Sequence, residues 1–375
     1  MTCFISWVLA FVTTIGNGQF AAAEERNDRS IPLQYFGLHI HRADAGTAWP
    51  NVPFGSWRLW DAYVGWAQLE PERDKWDFSR LDRYVAMANI TNVEILLPLA
   101  MTPRWASSRP DEASAYRPGN AAEPALIEDW RHYVSTLGRR YKGKIRQYEI
   151  WNEPSDRKHY TGDVDTLVRL TCEAHRILKE IDSANVIVSP ASAGGGGHIA
   201  YLDRFLAAGG KNCVDVVAHH FYVFRQPPEA MLPLVRDVRA VMKKHGIGHL
   251  PLWNTETGWW IANGDGTPDH PMVANGGWKK LSLEQESGDY LIRSFLLARV
   301  EGVDRFYWYS WDNRYGLSMV EPTSGKPKPM ADRWRNTVDR LLGATQLRCS
   351  QNGKIWRCDF VRRNGIADHI SWSVE

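Results

Sequence analysis

Cysteine is scarce in this chain, with five among 375 residues, and none pairs with histidine at a spacing that would close a structural zinc site. Lys and Arg nowhere gather into a block, and the formal net charge is only +2. Neither nucleic acid nor an anionic membrane is therefore implied as a partner. Past the first two dozen residues, no apolar run is long enough to span a bilayer. A glycine-rich phosphate turn is also missing after the first apolar strand, where His39-Ile40-His41-Arg42 stands instead. That excludes the usual dinucleotide-binding open sheet. The Gly194–Gly197 run lacks a following Lys-Ser/Thr pair and reads as a flexible loop. No cofactor and no metal are expected, and the protein is expected to be a monomer.

Tryptophan, by contrast, is abundant, at 18 residues. Many sit at predicted strand ends or in loops, where an indole face suits the apolar face of a sugar ring, although Trp also fills cores. The apolar and charged fractions, 44% and 23%, are those of an ordinary globular protein. Residues 3–15 form an apolar run, and Ala21-Ala22-Ala23 before Glu24 has the small residues of a cleavage site. Residues 1–23 thus read as a signal peptide, although no Lys or Arg precedes the apolar stretch, and the protein as secreted or periplasmic.

Apart from Cys3, the remaining cysteines are Cys172, Cys213, Cys349 and Cys358, an even set that permits two disulfides in an exported chain. Cys349 and Cys358 flank Asn352-Gly353, a strong hairpin signal, and a cross-hairpin disulfide is expected there. Cys172 and Cys213 are either a second bond or buried thiols.

From residue 35 the pattern is apolar strand, polar loop, amphipathic helix, repeated eight times. The predicted strands are 35–40, 55–60, 93–99, 145–151, 185–189, 214–219, 250–255 and 303–309. Helical patterns fall near 78–90, 124–141, 163–181, 199–208, 229–245, 282–301 and 329–343, with Ser282 and Gln285 as a capping box and Gly246 as a helix end. Strands alternating with helices imply a parallel sheet covered on both faces. Eight such units predict an α/β fold, a (β/α)8 TIM barrel over 35–343, with a small C-terminal antiparallel β appendage at 344–375 packed on it. The segments 102–123 and 257–281 are the long loops of the barrel mouth.

Two glutamates stand where such a barrel places its chemistry. Glu153 ends strand four in Tyr148-Glu149-Ile150-Trp151-Asn152-Glu153-Pro154, and Glu256 ends strand seven in Trp253-Asn254-Thr255-Glu256-Thr257-Gly258. One strand-end Glu alone is usually a solvated residue. Two that meet across the C-terminal mouth are what acid-assisted cleavage of a glycosidic bond requires, and Asn152 adds an amide for a sugar hydroxyl.

Trp151-Asn152-Glu153-Pro154 and Thr255-Glu256 resemble the acid/base and nucleophile motifs of clan A retaining glycoside hydrolases. The resemblance implies that Arg58, in Trp57-Arg58-Leu59-Trp60, supports the nucleophile. It makes His220 and Tyr222 the strand-six His-x-Tyr pair, and Trp311 the floor of the sugar subsite. Thr102-Pro103-Arg104-Trp105-Ala106 and the run from Glu70-Pro71 to Trp76-Asp77-Phe78 are similar, more narrowly, to glycoside hydrolase family 39. That family includes β-xylosidases, α-L-iduronidases and bacterial endoglycosidases acting on biofilm exopolysaccharide. The implied partner is a polysaccharide or oligosaccharide substrate, cleaved by double displacement.

Other residues carry two readings each. His39 and His41 either contact sugar hydroxyls or are hydrogen-bonded structural histidines. Trp259 and Trp260 form a stacking wall or anchor their loop, Trp66 and Trp105 are subsite or core, and Glu70 reads as a structural turn residue rather than a third catalytic acid. Arg104, Arg109, Lys279 and Lys280 near the predicted mouth lean towards an acidic substrate. A metal-dependent amidohydrolase-like barrel would use His39, His41, His220 and Asp312, but strand five supplies no histidine ligand. A catalytically weak carbohydrate-binding protein on the same barrel is the non-enzyme alternative.

Overall fold

The computed structural model describes residues 28–374, so the signal peptide predicted at 1–23 lies outside the described residues. Eight parallel strands form the centre: β1 (Phe36–His39), β2 (Ser56–Arg58), β3 (Glu94–Leu99), β4 (Gln147–Ile150), β5 (Val186–Val188), β6 (Val217–His220), β7 (Leu252–Thr257) and β8 (Val303–Trp308). The sheet runs β5-β4-β3-β2-β1-β8-β7-β6. Strand β5 breaks near Pro190: its first half pairs with β4, while its continuation Ser192–Ala193 pairs with β6. A bridge between Val188 and Val216 joins the two ends. The result is a closed eight-stranded parallel barrel of the TIM type.

Alternation along each strand builds two separate cores. Leu97, Leu99, Tyr148, Ile150, Phe306 and Trp308 face outward into the helix layer. Leu96, Val188, Ala218, Trp253 and Tyr307 face inward and plug the barrel. Above this apolar plug, the inward positions become polar at Arg58, Glu149 and His220. Strand periodicity therefore carries the polar residues to the C-terminal end of the barrel, where the site lies.

The long helices are α1 (Ser79–Thr91), α2 (Ile127–Arg140), α3 (Val164–Ile181), α4 (Gly197–Ala207), α5 (Met231–Lys244), α6 (Gln285–Val300) and α7 (Pro329–Leu341). In α3, Leu167, Leu170, Ala174, Ile177 and Leu178 share one face and are buried, each worth on the order of 1–3 kcal/mol. Asp163 caps that helix by accepting the Thr166 N–H at 2.7 Å. Gly246 follows α5 at φ 77°, a conformation that suits glycine and ends the helix as expected.

Two expectations need correction. The strand–helix repeat is not eightfold, because β1 and β2 are joined by irregular chain, residues 40–55, without a helix. The Ser282/Gln285 capping box does not form either. Helix α6 begins at Gln285, and Glu286 instead accepts the Ser282 N–H at 3.0 Å.

After α7, strands β9 (Thr345–Asn352), β10 (Ile355–Val361) and β11 (Ala367–Ser373) form an antiparallel sheet. Leu347, Cys358 and Phe360 enter the barrel's outer core. Arg340 of α7 holds Asp368 at 2.8 Å, and the Trp372 indole donates to Glu229 at 2.6 Å. Cys349 and Cys358 sit opposite each other on β9 and β10 and are bonded. Cys172 and Cys213 are bonded as well, tying α3 to the chain before β6. Among the described residues, no helix is long and apolar enough to cross a membrane.

Candidate active site

Glu256 lies in β7 and Glu153 follows β4, on opposite sides of the barrel mouth. One carboxylate oxygen of each falls within 4.8 Å of the other, with a His220 nitrogen inside the same distance. The two carboxylates have different partners. Glu256 accepts the Tyr222 hydroxyl at 3.0 Å on Oε1 and Arg58 Nη1 at 2.8 Å on Oε2. Glu153 Oε1 lies 2.9 Å from His220 Nδ1, and its Oε2 lies 3.6 Å from His159 Nδ1.

Arg58 is fully buried and organises the centre. Its Nε donates to Glu149 Oε2 at 2.6 Å, and its Nη2 donates to Asn152 Oδ1 at 2.7 Å. With its carbonyl oxygen so engaged, Asn152 has its amide NH2 as the group for a ligand. Glu153 (φ 46°) and Trp151 (φ 67°) both adopt left-handed backbone, a costly conformation for such residues. The Glu153 N–H is fixed onto Ala191 O at 2.8 Å, and the Trp151 indole onto His159 O at 2.8 Å.

The electrostatics follow from these contacts. Burial acts to raise the Glu256 carboxyl; the His220 and Arg58 charges oppose it, but with Glu153 and Asp61 nearby it stays above the usual carboxylate range. Burial also acts to raise Glu153, yet the His220 hydrogen bond and charge, with His159 and Arg58, bring it down to about 2. The general-acid role implied for Glu153 called for the opposite direction. The two observations meet in the 2.9 Å line to His220. That line puts a ring nitrogen where it can pass a proton to the Glu153 carboxyl or take one from it.

One cavity contains this pair, and a second shares Tyr309 with it. The first, of about 390 Å³, is lined by Glu153, Glu256, Asp156, His198, Tyr222 and Trp278. Its neighbour, of about 420 Å³, includes His41, Trp60, Asp61, Tyr116, Arg117 and Arg314. Gly258 sets Tyr309 in place: a Cβ there would lie 2.0 Å from the Tyr309 carbonyl oxygen.

Of the residues expected in the site, the structure gathers Glu153, Glu256, Asn152, Arg58, His220 and Tyr222 around one centre, and places His41 in the adjoining wall. Others stand elsewhere. Trp311 does not floor the cavity: it is buried, with its indole N–H on Ala48 O at 3.2 Å, because β8 ends at Trp308 and Tyr309 takes the cavity wall. Trp259 is core, packed on Tyr290 and Trp308 with its indole on Gln226 O. Trp105 is pinned by its indole to Glu70 O and lies under the Arg73 guanidinium, outside both cavities. His39 is fully buried with Nε2 at 3.0 Å from Thr255 O, and burial with the Arg58 charge drives it well below the ordinary imidazole range.

Most of the described tryptophans are buried, so their number reflects the core, and the aromatic surface of the cavities is largely tyrosine. Glu70 is a turn residue, accepting the Trp66 indole and the Asp74 N–H. Arg104, Arg109, Lys279 and Lys280 are paired with Asp111, Glu123, Glu286 and Asp269 and offer no free charge to a substrate.

Glu149, Asp61, His159 and Tyr309 were missed. Alternation in β4 places Gln147 and Glu149 on one face and could have found Glu149, whereas Asp61 and His159 come from loops without any periodic signal.

Metal chemistry of the amidohydrolase kind does not match this geometry. Both Asp312 oxygens are taken, by the His41 and Arg42 N–H groups and the Thr47 hydroxyl. Among the described residues the sets that could hold an ion are Glu153, His220 and Glu256, and the buried Glu70 with the exposed Asp74 and His132.

Comparison with known proteins agrees with the motif reading. The model of the family described as glycosyl hydrolase family 10 matches residues 61–169. A β-xylosidase of Geobacillus stearothermophilus is 25% identical over 245 residues, 58% of this chain and 47% of that protein. The chain thus spans about half the length of this curated relative. A family 39 glycoside hydrolase from the gut symbiont Bacteroides cellulosilyticus WH2 superposes with a TM-score of 0.68 at 17% identity, over 93% of this chain and 72% of the other. A monomeric β-xylosidase from Caulobacter crescentus CB15 gives 0.65 at 18% identity, over 89% and 75%. The chain resembles the family 39 glycoside hydrolases and has their barrel fold.

Proposed function

We propose that the protein is a retaining glycoside hydrolase of the family 39 type, acting on an oligosaccharide or polysaccharide. The observation that carries this reading is the approach of Glu153 and Glu256 to within 4.8 Å, oxygen to oxygen. Retaining enzymes hold their carboxyl groups about 5–5.5 Å apart, and inverting enzymes about 6.5–9.5 Å, to admit a water. The relatives with glycosidase names support the same class.

Glu256, aimed by Tyr222 and Arg58, attacks the anomeric carbon, while Glu153, which lies against His220, protonates the leaving oxygen. The glycosyl–Glu256 ester is then hydrolysed by water that Glu153 deprotonates, and the configuration is retained. The Asn152 NH2 donates to a sugar hydroxyl, a contact that strengthens as the ring flattens. Burial that raises Glu256 in the free protein is offset during the reaction, because charge leaves that carboxylate as the ester forms.

The substrate side is read as extracellular or periplasmic, which the apolar N-terminal run and the two disulfides favour. The protein is read as a monomer. Turnover of an aryl-glycoside and polysaccharide panel, followed by proton NMR of the first-formed anomer, tests the reading. Retention that disappears in Glu256→Gln is expected; inversion, or undiminished turnover by Glu256→Gln, overturns it.

A further inference from the structure

The cavity that contains the carboxylate pair and the one that meets it at Tyr309 differ in charge. The wall that contains Glu153 and Glu256 has no Lys or Arg. The neighbouring wall carries Arg42, Arg117 and Arg314 against a single carboxylate, Asp61. Arg42 leans on Asp312 at 3.5 Å. Arg117 and Arg314 are exposed, rise from the loops after β3 and β8, and among the described residues have no side-chain partner for their guanidinium groups. Asp61 is already satisfied, accepting the Tyr116 hydroxyl at 2.7 Å and the Tyr309 hydroxyl at 2.6 Å.

A second feature in the same wall is independent of these charges. His41 is only 7% exposed, and its Nε2 has no hydrogen-bond partner. A buried imidazole nitrogen left unpaired is costly, and a ligand entering the cavity relieves that cost. Tyr63, Tyr116 and Tyr315 are large aromatic residues exposed at this cavity, as few others are elsewhere on the surface. Aromatic faces of that kind suit a sugar ring.

We propose that this cavity binds a sugar unit bearing a carboxylate, a hexuronate, beside the position of cleavage. Arg117 and Arg314 meet the carboxylate, whose planar shape fits a guanidinium fork. The exposed tyrosines meet the ring, and His41 meets a hydroxyl. Asp61 with Tyr309 separates this positive cavity from the negative pair. The assignment refines the hydrolase reading and rests on it for the ligand being part of a substrate.

Calorimetric titration of the Glu256→Gln variant with methyl β-glucuronide and methyl β-glucoside, which differ only at C6, tests the assignment without turnover. The glucuronide is expected to bind roughly tenfold tighter at low salt, the worth of one charge-assisted hydrogen bond. Adding Arg117→Gln and Arg314→Gln is expected to remove that preference while the melting temperature stays unchanged. Equal affinity for the two glycosides, or a preference that survives both arginine substitutions, overturns it. The hydrolase reading is judged separately, by aryl-glycoside turnover in the protein with Glu256 intact. Turnover without a glucuronide preference sinks only the subsite, and the preference without turnover sinks only the hydrolase.

Discussion

Glu149 and Glu256 hold different edges of one guanidinium: Arg58 Nε reaches Glu149 at 2.6 Å and Nη1 reaches Glu256 at 2.8 Å. A single buried cation therefore serves two carboxylates, and only part of its charge is available to the proposed nucleophile. Burial depresses the arginine's proton affinity, yet the two carboxylates more than restore it.

Substituting Glu149→Gln leaves Arg58 wholly to Glu256. The Glu256 carboxyl should then fall from its raised position, and the nucleophile should stay ionised to lower pH. The acidic limb of the kcat/KM profile is expected to move down by about half a unit to one unit, as one opposing charge at this distance warrants. The opposite change, Arg58→Met, leaves two carboxylates buried without a counter-charge. It is expected to cost about 3–5 kcal/mol of stability in denaturant titration.

Glu153 is expected to show its proton-donor role through the leaving group. In Glu153→Gln, hydrolysis of substrates with poor, alkyl-type leaving groups should fall about 10²–10⁴-fold. Activated aryl glycosides, which depart without protonation, should lose far less in the glycosylation step. A uniform loss across leaving groups in pre-steady-state rates would remove Glu153 from that role.

Much of this centre was legible because strand periodicity and motif spacing act together. Glu153, Glu256, Arg58 and His220 sit at strand ends, where the sequence position decides the side of the barrel to which a side chain points. Tyr309 and Trp311 show the limit of that reasoning. The two have the same parity, so only the end of β8 at Trp308 decides which ring faces the cavity. His159, Asp61 and Tyr116 come from loops whose course depends on tertiary contacts, such as the Tyr116–Asp61 hydrogen bond. Tryptophan number misled for a different reason: a ring that suits a sugar also suits a barrel core, and here the cores took most of them.

His219 makes stability depend on acid. Its ring is buried, with Nε2 at 2.6 Å from the Gly194 carbonyl, and Nδ1 has no partner to receive a second proton's charge. Burial, the dominant cause, lowers this imidazole to about 3. Well above pH 7 it is neutral in both folded and unfolded chains and contributes nothing. Below an unfolded value of about 6.5 the unfolded chain takes up a proton that the folded chain refuses. Stability should therefore fall by about 1.4 kcal/mol per pH unit between about 6.5 and 3 from this group, with a further slope in the same direction from the similarly lowered His39. Thermal melts over that range, compared with His219→Gln, should show the variant's slope reduced by about one proton.

The two disulfides should differ in what they stabilise. Cys172–Cys213 closes a loop with a sequence separation of 41, and Cys349–Cys358 one of 9. By the loop-closure argument the first restrains the unfolded chain by about 4 kcal/mol and the second by about 2.5 kcal/mol. The longer loop contains Asn185, all of β5 and α4, so it fastens the one part of the barrel where a strand is broken. The shorter one only braces the β9–β10 hairpin. Replacing Cys172 and Cys213 with serine is expected to lower the melting temperature more than the same change at Cys349 and Cys358. Hydrogen exchange should locate the extra opening in β5 and α4, with the appendage unaffected. If the shorter loop proved the more damaging to lose, the hairpin would be holding the barrel by its contacts at Leu347 and Phe360 rather than by chain entropy.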